Sequence, residues 1–117
     1  MNEVTLRWPS KDLSPNARGH WSKKARAAKS YRLDCWAKAI EAKLCVNWDG
    51  PIHVWLTFYP PDRRHRDQDN MIASLKSGMD GLSDALSIND KHFHLHHQVA
   101  DDIGGMVKVR ISATGET

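Results

Sequence analysis

The chain has 117 residues, of which 40% are hydrophobic, and a formal net charge of +3. This length suits one compact domain and is too short for two ordinary ones, and the hydrophobic content excludes wholesale disorder. No apolar run approaches the ~20 residues that span a bilayer, and the N-terminal MNEVTLRWPSKD lacks an apolar signal core, so we expect no membrane partner and a cytoplasmic location.

The first half of the chain is predicted to form a strand and then a long helix. VTLRW is a β-like run that Pro9 ends, and the turn-rich SPNARGHW follows it. From Ser22, a plausible N-cap, to Cys45 the composition is helical. Cys35 and Cys45 would lie ~15 Å apart along this helix, too far for a disulfide. The more apolar stripe of this helix consists of Leu33, Trp36, Ala37, Ile40 and Leu44. The residues that share another side of the helix are Ala25, Ala28, Arg32, Cys35 and Ala39.

The second half is predicted to contain three strands and one helix. IHVWLTFY (Ile52–Tyr59) alternates as a strand, and a second helix runs from Asn70 to Leu82 or Leu86. Phe93–Val99 and Met106–Ser112 alternate around DDIGG, which predicts a β-hairpin. Residues 1–117 are thus expected to form a single small α+β domain, with a mixed β-sheet, two main helices packed on it and a C-terminal hairpin.

The charges are unevenly distributed. Residues 1–46 contain ten Lys or Arg and four Asp or Glu, whereas residues 47–117 contain seven and ten. Four cations crowd the first two turns of the first predicted helix, where they oppose the helix dipole and indicate an external anion: Lys23, Lys24, Arg26 and Lys29. His20 precedes them and is placed near phosphate too. A basic helical face that is merely solvated is the alternative interpretation.

The segment RRHRDQDN sets three arginines beside two aspartates, Asp67 and Asp69. If the backbone there is extended, both carboxylates project to one side and repel each other unless a proton or cation lies between them. A hard cation such as Mg²⁺ suits such a pair, because it keeps waters and substrate phosphate as its other ligands. The alternative is that one aspartate simply caps the following helix.

Two further residues could join this pair. Asp90 could fold back towards the helix start, but spacing alone does not favour it over Asp80. Lys76 lies seven residues after Asp69, close to two helical turns, so its ammonium could reach the carboxylates or a bound phosphate. An ordinary i,i+4 pair between Lys76 and Asp80 is the alternative.

A histidine cluster, KHFHLHHQ, suggests a different site. On a strand, His92, His94 and His96 would share one face, as zinc ligands do in some β proteins. No cysteine or acid supports them, so an exposed polar face is the preferred interpretation.

These motifs resemble those of the RusA family of Holliday junction resolvases, small Mg²⁺-dependent endodeoxyribonucleases of bacteria and their prophages. The resemblance covers nearly the whole chain in the family's order, through SPNARGHWSKKARAAK (Ser14–Lys29), RDQDN (Arg66–Asn70), MDGL (Met79–Leu82) and IND (Ile88–Asp90). It implies an enzyme that resolves four-way junction DNA by paired symmetric nicks in recombination and repair. It also implies a homodimer, bacterial or phage-encoded, that uses Mg²⁺, with Mn²⁺ as a substitute.

The resemblance further assigns the site residues. Asp67, Asp69 and Asp90 would be metal-binding catalytic carboxylates, which selects Asp90 over Asp80. The family's catalytic lysine falls at Ala73 here, so Lys76, one turn further, would replace it. The DNA-binding residues would be Asn16, Arg18, His20, Lys23, Lys24, Arg26, Lys29, Arg63, Arg64 and Arg66. The departure at Ala73 leaves open an alternative, a non-catalytic protein that binds branched DNA.

Overall fold

The structure, a computed structural model, describes residues 2–46 and 50–113. These residues form four strands, three α-helices and two 3₁₀ turns. The strands are β1 (Glu3–Arg7), β2 (Ile52–Tyr59), β3 (Phe93–Val99) and β4 (Met106–Ala113). The helices are α1 (Trp21–Glu41), α2 (Gln68–Ser74) and α3 (Lys76–Leu86), and the 3₁₀ turns cover Lys11–Leu13 and Asp90–His92.

The sheet is mixed and has the strand order β1-β4-β2-β3, with β2 and β3 parallel and the other neighbours antiparallel. The predicted small α+β domain is therefore confirmed. β3 and β4 run antiparallel in a hairpin-like arrangement, but β2 lies between them. The connection crosses the end of β2, where the Gly105 amide donates to the Tyr59 carbonyl at 2.7 Å. The two C-terminal strands therefore share no hydrogen-bonded ladder of the kind that a regular hairpin has.

One hydrophobic core lies between the helices and one face of the sheet. The alternation of β2 turns Ile52, Val54, Leu56 and Phe58 inward, each at most 1% exposed. Buried residues of all three helices join the same cluster, so the described helices cover this face. The opposite face of the sheet, which includes Trp55, is left open.

The predicted apolar stripe of α1 is wrong. Leu33, Trp36 and Ile40 are 63%, 39% and 49% exposed. The buried side is the one that carries Cys35 and Ala39. The cause is a close approach of α1 to the glycines of α3, because Gly81 lies against the backbone of Arg32 and Trp36 and Gly78 leaves room for the buried Tyr31 ring.

The first predicted helix ends earlier than expected. α1 stops at Glu41, because Lys43 adopts a left-handed φ of 58° and the chain turns away. The second predicted helix ends at Leu86, one of the two expected positions, but it is divided at Leu75, so the described residues form three α-helices where two were predicted. The hydroxyl of Ser74 donates to the Asn70 carbonyl at 2.7 Å, and such back-bonding bends helices. Cys35 and Cys45 are both free thiols, as expected, although Cys45 lies outside the helix.

Candidate nucleic-acid and metal site

A cleft of about 830 Å³ opens between the N-terminal segment and the loop that follows β2. We refer to it as the basic cleft. Six of the predicted site residues line it: Asn16, Arg18, Lys23, Arg64, Arg66 and Asp67. The fold thus brings the SPNARGHW segment to the arginines of RRHRDQDN across more than 40 residues of sequence. This juxtaposition joins predicted phosphate contacts to one of the predicted metal ligands.

The other predicted DNA-binding residues lie outside this cleft. Lys24, Arg26 and Lys29 are exposed on α1, and Arg63 borders a neighbouring groove. His20, and not Ser22, is the N-cap of α1, because its Nδ1 accepts from the Ser22 amide at 3.2 Å. His20 therefore already has a structural role at the helix start.

Arg66 organises the loop before α2. Its Nη1 donates to the Asp62 carboxylate at 2.9 Å and to the Arg64 carbonyl at 3.1 Å, and the guanidinium lies 5.6 Å from the Trp8 ring centroid. Only 16% of its side chain is exposed. The hydrogen bond from Arg66 lowers the pKa of Asp62, so both side chains stay charged across the physiological pH range. Asp62 and Trp8 were not among the predicted site residues, because their contacts with Arg66 depend on a loop conformation that residue spacing does not specify.

Asp67 and Asp69 both lie at the start of α2. Asp67 is the N-cap, and its Oδ1 accepts from the Asp69 amide at 3.0 Å, as the capping alternative predicted. The extended backbone expected at Asp69 is wrong, because α2 begins at Gln68. Both carboxylates are exposed, and in the described part of the chain neither forms an ion pair, despite the arginines beside them. Arg66 is ion-paired with Asp62 instead.

Lys76 links the two acids between which spacing could not choose. Its Nζ lies 2.6 Å from Asp80 Oδ1 and 3.1 Å from Asp90 Oδ2. The hydrogen bonds to Asp80 and then to Asp90 raise the pKa of Lys76, which is therefore a cation at neutral pH. Lys76 begins α3, beyond the break at Leu75, so the predicted single helical face shared with Asp69 does not exist.

The comparisons with known proteins give one clear relative. An uncharacterized protein of Xylella fastidiosa (strain Temecula1 / ATCC 700964) is 42% identical over 120 residues, which cover 100% of this chain and 78% of that protein. This chain belongs to the family of that protein. No protein-family model matches the chain. Because that relative is uncharacterized, membership in its family assigns no activity to this chain, and the functional inference depends on the site.

The carboxylates at the start of α2 are the side chains that could bind a divalent cation. In residues 2–46 and 50–113, no group of three or more His, Cys, Asp or Glu side chains could hold a metal ion. Mg²⁺ does not need three, since one or two carboxylates, waters and phosphate oxygens complete its shell. The unpaired carboxylates of Asp67 and Asp69 fit that chemistry. Asp90 is held in its ion pair with Lys76.

His53, His94 and His96 lie elsewhere, on the open face of the sheet. His92 ends the 3₁₀ turn before β3, so it is not on the strand with His94 and His96 as predicted. His53 of β2 takes its place, with its Nδ1 2.8 Å from His96 Nε2.

Within the described ranges, no helix is long and apolar enough to cross a membrane.

Proposed function

We propose that the protein is a Mg²⁺-dependent endonuclease that resolves four-way DNA junctions by paired nicks, as the resemblance to RusA resolvases implies. The observation that carries the proposal is the basic cleft, in which an unneutralised carboxylate meets cations from two distant segments. A DNA-binding surface alone gains nothing from free carboxylates, because they repel phosphate unless a cation is bound.

In this proposal the cationic and the acidic residues have different roles. Arg18, Lys23 and Arg64 bind flanking phosphates, and their contribution falls with rising salt. Asp67 and Asp69 would hold the divalent cation, which supplies charge neutralisation and a more acidic bound water. Lys76 would stabilise negative charge near the scissile phosphate, from its position beside Asp90. A symmetric dimer would present two sites to the two equivalent strands of a junction.

One observation favours a second candidate, a protein that binds branched DNA without cutting it. Asp90 is neutralised by Lys76, and the described residues contain no three-carboxylate group. If this ion pair persists on DNA, the site has two carboxylates and no free lysine. Cleavage would then be absent while junction binding through the basic cleft remained.

The test compares cleavage of a synthetic mobile four-way junction by the wild type and by Asp67→Asn, in Mg²⁺ and in EDTA. Asparagine is as good an N-cap as aspartate, so this change removes the charge and keeps the helix start. We expect symmetric nicks from the wild type and a loss of at least ~100-fold in rate for the variant, because a bound metal contributes several kcal/mol to the barrier. Junction affinity in EDTA should not fall.

Asp101→Asn is the matched control, since Asp101 is an exposed acid outside the basic cleft. It should cleave as the wild type does. Junction binding by the wild type without cleavage in Mg²⁺ or Mn²⁺ would favour the non-catalytic alternative, and equal cleavage by Asp67→Asn would refute the assigned site.

A further inference from the structure

The open face of the sheet carries a trough of about 450 Å³ that crosses all four strands. Its floor is a row of residues in register, comprising Thr5, Lys108, Thr57 and Gln98. One wall is the next row, comprising Glu3, Arg110, Trp55 and His96, with Glu3 opposite Arg110. The two threonines have short side chains, so the floor row is lower than the row beside it. The depression therefore runs across the strands, for ~14 Å over three inter-strand spacings. It shares no lining residue with the basic cleft.

The wall is ordered by stacking. The His96 ring lies 4.0 Å from the Trp55 ring at an interplanar angle of 17°, and the Arg110 guanidinium lies 5.3 Å from the Trp55 centroid on the neighbouring strand. His53 also holds His96 through its ring nitrogen at 2.8 Å. The rings of this wall are therefore held in place before any ligand arrives.

The trough is electropositive. Lys108 Nζ lies 5.3 Å from the Tyr59 ring centroid, and in the described structure neither Lys108 nor Arg110 is ion-paired with a carboxylate. Glu3 is the acid that borders the trough, on the edge strand β1. Lys108 on the floor and Arg110 on the wall lie side by side where the trough crosses β4, so both can contact phosphates of an anionic chain at that point.

We propose that this trough binds a single-stranded nucleic-acid segment through its phosphates, with Lys108 and Arg110 as the principal contacts. Proteins that bind single strands use a positively charged groove that follows the sugar-phosphate backbone, and the cations of this trough supply that charge. The site is independent of the proposed endonuclease activity, because it shares no residue with the basic cleft and needs no metal.

The test is fluorescence anisotropy of a short labelled oligothymidylate in EDTA, titrated with the full chain at several salt concentrations. The double variant Lys108→Gln/Arg110→Gln should lose at least about tenfold in affinity, and its salt slope should fall by roughly 1.4, since each neutralised phosphate of a single strand contributes about 0.7. A matched double variant of two exposed cations outside both sites, Lys38→Gln/Lys43→Gln, should bind the oligothymidylate as the wild type does.

Thr57 supplies an independent check if the double variant does not fold. Thr57→Lys on the floor should strengthen oligothymidylate binding, and Thr57→Glu should weaken it. Equal affinities for both changes, or wild-type binding by a folded Lys108→Gln/Arg110→Gln variant, would overturn the proposal. Concentration-dependent self-association that Thr57→Glu abolishes would also overturn it, because the trough would then be an interface between two copies of the chain.

Discussion

Gly81 lies where α1 and α3 touch, and replacing it with alanine should destabilise the domain. A Cβ at this position would overlap the Arg32 carbonyl oxygen of α1 and would lie 3.0 Å from the Trp36 amide nitrogen. Both atoms are backbone, so no rotamer change relieves the clash. Overpacking of this kind costs ~1–3 kcal/mol, and the better helix propensity of alanine returns at most about 1 kcal/mol. Because both clashing atoms are backbone, the cost should lie in the upper part of this range, and we expect a net loss of roughly 1–2 kcal/mol in the free energy of unfolding.

Urea unfolding and thermal denaturation measure this loss. For a chain of this size it corresponds to a fall of roughly 4–8 °C in Tm. Gly78→Ala is the comparison, because its Cβ would meet side-chain atoms, Tyr31 Cε2 at 2.7 Å and Cys35 Sγ at 3.1 Å, which can shift. Its loss should be smaller. A Gly81→Ala protein as stable as the wild type would refute the packing that explains the exposed stripe of α1.

Three other outcomes are expected. Burial raises the pKa of Cys35 to about 12, so at pH 8 about one thiol in ten thousand is ionised; a thiol reagent should label exposed Cys45 at once and Cys35 only after unfolding, and equal labelling rates would contradict this. Lys76→Ala should cost less than about 1.5 kcal/mol of stability, because both of its ion pairs are exposed, and should slow junction cleavage ~100-fold; an unchanged rate would remove it from the site. Lys23→Gln/Arg64→Gln should lower the salt slope of junction binding by roughly 1.8, and an unchanged slope would exclude phosphate contact at both residues.

Local patterns predicted the strands well. The period-two alternation of Ile52–Tyr59 matches its burial, because one face of β2 lies on the core and the other is open. The neighbours of each strand were not predictable in this way. The insertion of β2 between β3 and β4 depends on long-range pairing, and the turn residues after Val99 are compatible with either arrangement.

The helices show where hydrophobicity alone misleads. The summed apolarity of α1 favours the stripe with Leu33 and Trp36. In the fold, Gly78 of α3 lies on Tyr31 and Cys35, and Gly81 lies on the α1 backbone. Close backbone approach thus decided which side is buried, and it could be read only by considering both helices together. The division of the second helix has a local cause at Ser74, whose hydroxyl bonds one turn back.

The candidate site was predictable as a set of residues but not as a geometry. The charges of RRHRDQDN indicated both a cation site and phosphate contacts, yet the pairing of Arg66 with Asp62 and of Lys76 with Asp90 needed the fold. The approach of the N-terminal segment to Asp67 also arises from tertiary packing.

The measurement that tests the central claim most directly is the position of a bound divalent cation. Substoichiometric Mn²⁺ broadens the NMR signals of nearby amides, so the first amides to disappear report the site. The account predicts that those of Asp69 and Asn70 broaden first, and that Asp67→Asn weakens the effect. Broadening that begins at His53 and His96 on the open face of the sheet, and is unchanged in Asp67→Asn, would contradict it.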